Sequence, residues 1–263
     1  MIYRYLMMCA NASGSSPVYG AGSAIFGYGC TLTSPYYVSM VNKVSSAGVV
    51  SENVATVGTA RQALAAAGYG GDKAIFGYGE SPYIVSITNI VSNTGIVSVD
   101  VTGVGTARAG LAAAGYGGDK AIFGYGSSGA DVSMTNLVSN AGVVSADVTG
   151  VGTARNGPAA AGYGTDKAIF GYGTTKYPFS PYYSMTNLVS NTGVVASDTS
   201  GVGTARAFLA AAGYGTDKAI FGYGLTGTLQ SVSNLVSNVG VVSTDVTGVG
   251  TARSGLAAAS FGG

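Results

Sequence analysis

The chain has 263 residues, 47% of them hydrophobic and only 9% charged, with a net charge of +1. A balance this close to neutral excludes the basic footprint of a nucleic-acid partner, and no apolar run reaches the roughly 18–20 residues of a membrane-spanning helix. His is absent, which removes the commonest general base and metal ligand; the two cysteines, Cys9 and Cys30, are too few for a disulfide framework or a zinc site and allow at most one Cys9–Cys30 bridge.

Residues 1–17 read as a separate N-terminal segment. Ile2–Ala10 is apolar apart from Arg4, too short and poorly flanked for a signal peptide. Arg4 and Leu6 echo the repeat described below, which would suit an inner strand of the first unit; the favoured reading of Met1–Ala10 is instead an added edge strand or a contact between copies of the chain. Residues 18–263 are repetitive. IFGYG recurs at 25–29, 75–79, 122–126, 169–173 and 220–224, and VGTAR ends at Arg61, Arg108, Arg155, Arg206 and Arg253. The arginines are 47, 47, 51 and 47 residues apart, a period in the range of propeller blades. The 44 glycines follow no G-X-Y period, which excludes collagen.

Each unit reads as four strands. The Ala-rich run (Leu111–Tyr116) is strand one, KAIFGY strand two, MTNLVS (Met134–Ser139) strand three and GVVSADV (Gly142–Val148) strand four. GGDK or GTDK separates one from two, and SNTG or SNAG separates three from four; Gly and Asn tolerate the positive φ of tight hairpins. The first unit, with Lys43 and Ser45-Ser46, diverges most. Five such units without helical periodicity predict radial repetition, with the small Ala side chains innermost where blades converge.

The order of these residues resembles the Kelch repeat. Arg108, Ala112–Gly115, Phe123-Gly124-Tyr125-Gly126, Thr135–Val138 and Gly142–Val144 follow the Kelch sequence of arginine, small apolar strand, aromatic strand ending in glycines, third strand and fourth strand. Two features depart from it: Gly-Tyr-Gly replaces the adjacent glycines, and Val replaces the usual Trp of strand four. The resemblance implies an all-β, five-bladed β-propeller of four-stranded blades, and no Kelch activity. The wording GDKAIFGYG, TNLVSNTGVV and GVGTAR is also similar to repeats in structural proteins of marine tailed phages. Val18–Ser23 aligns with the turn before strand two, and Arg253–Phe261 is a strand one without a strand two after it. That register predicts that residues 254–261 pair with residues 23–28 and close the ring, removing two sheet edges; Met1–Ala10 is the competing source of that inner strand.

In this architecture the loops between strands two and three share a face with the loops between blades, and these 2–3 loops alone vary: CTLTSPYYVS, ESPYIVS, SSGADVS, TTKYPFSPYYS and LTGTLQS. Divergent loops on near-identical strands suggest a scaffold that presents contacts. Tyr36, Tyr37, Tyr83, Asp131, Tyr177, Phe179, Tyr182 and Tyr183 are the candidate contact residues, since Tyr gives a large amphipathic surface at low entropy cost. The competing reading is ordinary loop drift, with the rings packed over the blade tops. The five arginines, each eight residues after Asn53, Asp100, Asp147, Asp198 or Asp245, form either a polar ring at the channel mouth that binds an anion or polar ligand, or a repeated pair, within one blade or between two, that fixes the 4–1 loop; repetition in every unit favours the second. Asp72-Lys73 and its equivalents read as solvated turn residues, and the spaced glycines lack the strand-to-helix context of a phosphate loop. Glu80 and Asp131 are the non-repeated loop acids on the variable face, and nothing in their spacing sets them opposite each other as a glycosidase pair. The expectation is therefore a protein without catalytic activity and without cofactor: a structural or adhesive virion component, fibre or head decoration, with other virion proteins or a cell-surface glycan as partner, no nucleic acid and no membrane insertion. The alternative is a sugar-binding lectin, secreted or cytoplasmic.

Overall fold

The computed structural model describes residues 11–13, 23–45, 48–54, 57–175 and 179–260. These form fifteen strands and no helix. After β1 (Asn11–Ser13), sheet 1 holds β2 (Ala24–Cys30) and β3 (Tyr37–Val44). Sheet 2 holds β4 (Ala65–Tyr69), β5 (Lys73–Gly77) and β6 (Thr88–Val91), with β1 added parallel along the open edge of β4. Sheet 3 is β7 (Ala112–Tyr116), β8 (Lys120–Gly124) and β9 (Thr135–Val138). Sheet 4 is β10 (Ala159–Tyr163), β11 (Lys167–Thr174) and β12 (Tyr182–Val189), and sheet 5 is β13 (Ala210–Tyr214), β14 (Lys218–Leu225) and β15 (Leu229–Val236).

Within each repeat the strands pair in sequence order, because the turns demand it. The β7–β8 ladder runs from Ala112↔Gly124 to Tyr116↔Lys120, with Gly117 and Gly118 at positive φ. The FGYG tyrosine is an extra residue: in β11 the register shifts between Gly171 and Gly173, and Tyr172 has φ 63°. Tyr28, Tyr78, Tyr125 and Tyr223 share that left-handed backbone, which disfavours a non-glycine residue by about 1–2 kcal/mol. The bulge turns the ring out of its own sheet and into the junction with the next.

The expected fourth strand is not a continuous ladder. It makes two isolated bridges per repeat, Val138↔Val144 and Thr135↔Val148 in sheet 3. Four steps on one side face three on the other, so one residue bulges out. Side chains occupy the gap: Ser145 Oγ accepts from the Leu137 amide at 3.0 Å, and Asn136 Nδ2 donates to the Ser145 carbonyl at 3.0 Å.

Successive sheets pack face to face, and the core is four such junctions. Between sheets 3 and 4 it comprises Ala112, Ala114, Tyr116, Ile122, Tyr125, Ala160, Ala168, Phe170 and Val189. Glycine makes the close approach possible: a Cβ on Gly124 would stand 2.7 Å from Phe170 Cζ. The inner strands β4, β7, β10 and β13 each lie against the next, and β1 reaches β4, β7 and β13. A three-residue strand spans only about 10 Å, as far as one sheet-to-sheet step. The row of sheets therefore curves around a common side, where the Ala-rich strands gather.

The C-terminal closure is not formed. Residues 254–260 lie outside any strand, and β2 pairs with β3 alone among the described strands. In every other repeat a tight turn ties the two strands together, whereas here the ladder would have to close a loop of more than two hundred residues. Met1–Ala10, with Cys9 and so any Cys9–Cys30 bridge, lies outside the described residues.

Candidate functional site

The two features that the sequence singles out, the repeated arginines and the variable loops, are built differently. Arg108 follows the loop that links sheet 2 to sheet 3. Its side chain is fully buried, with the guanidinium 4.2 Å from the ring centre of Tyr78 in the preceding repeat. Its Nε donates to the Tyr125 carbonyl at 3.0 Å, Nη1 to the Thr106 carbonyl at 3.1 Å and Nη2 to Asn136 Oδ1 at 2.6 Å. Asn136 in turn donates to Asp147 Oδ1 at 2.9 Å, and Asp147 also accepts from the Thr106 amide and hydroxyl. Arg61 and Arg206 repeat the pattern, with Asn89 and Asn234 as acceptors; Arg155 keeps its bonds to Thr153 and Asn187, but its Nε has no partner.

The arginine thus reads three elements at once: the tyrosine bulge of the sheet behind, the bulge and the third strand of its own sheet, and the loop between. The acid eight residues earlier is not its partner. Arg108 stands 3.9 Å from Asp147, in the fourth segment of its own repeat, and Arg61, Arg155 and Arg206 pair likewise with Asp100, Asp198 and Asp245. These guanidinium groups are completely covered and spend their hydrogen bonds on the sheets and loop around them, so they offer no open anion site. Arg253 differs, being exposed and donating to the Thr251 carbonyl alone while lying 3.8 Å from the Tyr223 ring centre.

These surroundings set the titration of the network. Burial pushes Tyr125 and Tyr172 up to about 12 against the opposing pull of Arg155 and Arg206, and raises Tyr28 and Tyr78 as well. Burial also pushes Asp147 upward, but the hydrogen bonds from Thr106 and Asn136 outweigh it and hold the carboxyl below 3.8. In alkali the unfolded tyrosines ionise from about pH 10 while the buried ones stay neutral until about 12. Stability is therefore whole below pH 10 and falls between about 10 and 12. In acid it falls as the pH drops below about 4, when the aspartates of the unfolded chain have already taken up protons. Urea unfolding midpoints measured across the pH range check this; a midpoint that stays level from pH 10 to about 12 would contradict the tyrosine assignment.

The 2–3 loops share one face with the segments after each arginine, as the bridges Gln62↔Glu80, Ala109↔Ser127, Asn156↔Thr174 and Ala207↔Leu225 require. Of the candidate contact residues, Tyr83 is 82% exposed and Tyr36 54%. Tyr37, Tyr182 and Tyr183 are half-buried at the starts of β3 and β12. Asp131 bridges back to Ser127. Phe179 stacks edge-on against Phe208 of the next repeat, ring centres 5.8 Å apart, so it packs over the junction as loop drift would have it. Tyr177 lies outside the described residues. Glu80 Oε1 accepts from Gln62 Nε2 at 2.8 Å, which ties that acid into its own loop base. On the opposite face Asp119 pairs with Lys120 at 2.9 Å and accepts from Asn140, joining the two turns of one repeat. Among the described residues no three His, Cys, Asp or Glu side chains gather where a metal ion could sit.

What the sequence did not reveal is the use of Asn136 and its equivalents. Their place inside TNLV suggests a strand residue, yet Asn89, Asn136, Asn187 and Asn234 are fully buried and link the arginine to the aspartate. The signal was present, since an Asn repeated on a buried strand face requires partners. Comparison with family models finds none that matches the chain, and comparison with curated proteins finds no relative.

Proposed function

We propose that the chain is a non-enzymatic structural or adhesive scaffold, a Kelch-like β-propeller with its five sheets as blades, serving as a fibre or head decoration in a phage virion. The curved row of sheets with its alanine strands innermost supports the propeller reading. One observation carries the functional one: the repeated polar residues are buried and hydrogen-bonded to each other, while the non-repeated loops hold the exposed rings of Tyr36 and Tyr83. What every repeat shares is consumed by packing, and what differs faces solvent. The partners are other virion proteins.

A sugar-binding protein is the second reading. Tyr83 and Tyr36 favour it, because an exposed ring can stack on the apolar face of a pyranose. Proteomic analysis of purified particles from the native host system is expected to find the chain at structural copy number. Its absence from particles, together with glycan-array binding that is lost in Tyr83→Ala or Tyr36→Ala, would replace the virion reading by the lectin.

A further inference from the structure

The four junctions inside the chain are built from matched parts, and one set of those parts is left over. At each junction a phenylalanine of the later sheet enters a space kept open by a glycine of the earlier one. A Cβ on Gly27, Gly77, Gly124 or Gly171 would stand 2.7–2.9 Å from Cζ of Phe76, Phe123, Phe170 or Phe221. The same phenylalanines meet the bulged tyrosines edge-on, as Tyr78 meets Phe123 at 5.2 Å. Sheet 5 carries the next socket, Gly222 beside Tyr223, and no atom of the described residues comes within 4 Å of the Gly222 Cβ position. Sheet 1 carries the unmatched knob: Phe26 is 54% exposed, where its four equivalents are at most 1% exposed.

Two further contacts are halved in the same way. Tyr69, Tyr116 and Tyr163 pack on Gly142, Gly193 and Gly240 in the 3–4 turn of the next sheet. Their equivalent Tyr214 is 38% exposed, and Gly48 in sheet 1, which aligns with those glycines, has no atom of the described residues within 4 Å of its Cβ position. Arg253 has stacked on Tyr223, but among the described residues its Nε and Nη2 find no acceptor. The groups that would receive them, by alignment with Tyr125 and Asn136, are the Tyr28 carbonyl and Asn42 Oδ1 of sheet 1. Last, no described strand pairs along the inner edge of β2, and Leu256–Ala259 repeats the LAAA of an inner strand without pairing to any described strand.

We propose that this chain associates head to tail with a second copy of itself. Sheet 5 of one copy receives Phe26 of the next, Arg253 closes over Tyr28 and Asn42, and Ala257–Ala259 is donated as the inner strand that β2 lacks. The joint continues an interface already used four times within the molecule, and both halves are uncovered in one chain. Because it uses different surfaces on the two partners, it propagates unless the rotation closes a ring, and strand donation fixes its register. This inference goes beyond the virion reading and rests on sheets 5 and 1 of one chain staying apart, so the joint between copies takes the place of ring closure within a single chain.

Gly222→Val gives a clean block, since Gly222 has ordinary extended backbone and open space where the new side chain would sit. Phe26→Ser removes the knob from a site already in solvent. Sedimentation velocity over a wide concentration range is expected to show the unaltered chain growing beyond monomer. Each variant alone should remain monomeric with an unfolding curve like that of the parent. The two variants mixed retain one working joint per pair, so they should form dimers and nothing larger. A parent chain that stays monomeric at every concentration, as it would if Phe26 filled the socket of its own chain, overturns the proposal. So does association that persists in both variants, or a mixture that yields no dimer.

Discussion

Replacing Arg108 by Met is expected to destabilise the chain by about 3–5 kcal/mol, the range for removing one partner of a buried charged network. Met replaces only the aliphatic stem of the arginine, so the loss comes from the acceptors and the space that the guanidinium leaves behind. The Tyr125 carbonyl and Asn136 Oδ1 would remain buried without their donor, and the Tyr78 ring would lose its cation. A buried acceptor left unpaired costs about 1–3 kcal/mol, and the ring contact adds about 1–2. Arg253→Met is the internal control. That residue is exposed and makes one hydrogen bond, to Thr251, so its replacement in the monomer should change stability by less than about 1 kcal/mol. Urea titrations of the two variants decide the matter. Equal effects would mean that the arginine acts through its charge alone and not through its position between two sheets.

Gly124→Val is expected to destabilise by about 1–3 kcal/mol or more, through overpacking of a filled junction. The new Cβ would stand 2.7 Å from Phe170 Cζ and 3.1 Å from Thr135 Cγ2. Both neighbours are fully enclosed and cannot withdraw. Phe170→Ala alone should cost about 3–5 kcal/mol through the cavity it opens. The pair Gly124→Val with Phe170→Ala should cost clearly less than the sum, because the valine occupies part of the space vacated. A double-mutant cycle measures that coupling; strict additivity would show that the glycine is needed for some other reason than the approach of the ring. The contrast with Gly222→Val, the same residue in the same motif, isolates the neighbour as the cause.

Much of this architecture is readable from local chemistry. The hairpin of strands one and two follows from the Ala run, the Gly-Gly-Asp-Lys turn and the β-branched and aromatic residues after it, and the register at Ala112↔Gly124 is the one those turns impose. The third strand is equally visible as TNLV. Strand four is not, because VVSADV has the apolar alternation of a strand while Ser145 and Asp147 use their side chains where a ladder would use backbone. Periodicity reports which residues face inward; it does not report whether main-chain or side-chain groups make the bonds.

The same limit applies to the site. Repetition identified the arginines and suggested a structural part for them, but left open whether each acid lay in the same repeat or across the junction. The aspartate that completes each network belongs to the sheet being entered and not to the one being left, since the chain crosses between sheets at that point. The loop tyrosines divide in a way that composition could not show: Tyr36 and Tyr83 stand in solvent, whereas the aromatic residue of the fourth loop, Phe179, is spent on Phe208.

By itself the sequence determined the number of repeats, the all-β class, the order of strands within each unit and the face on which the copies differ. All of these rest on contacts between residues close in the chain, and turn chemistry and alternation encode such contacts directly. Tertiary structure decided the rest: the burial of the arginines beneath the tyrosines of a neighbouring sheet, the seating of each phenylalanine over a glycine one repeat away, and the fact that one knob and one socket remain apart. Those outcomes depend on how one sheet meets the next. A repeat unit read alone shows both halves of that junction without showing whether they meet.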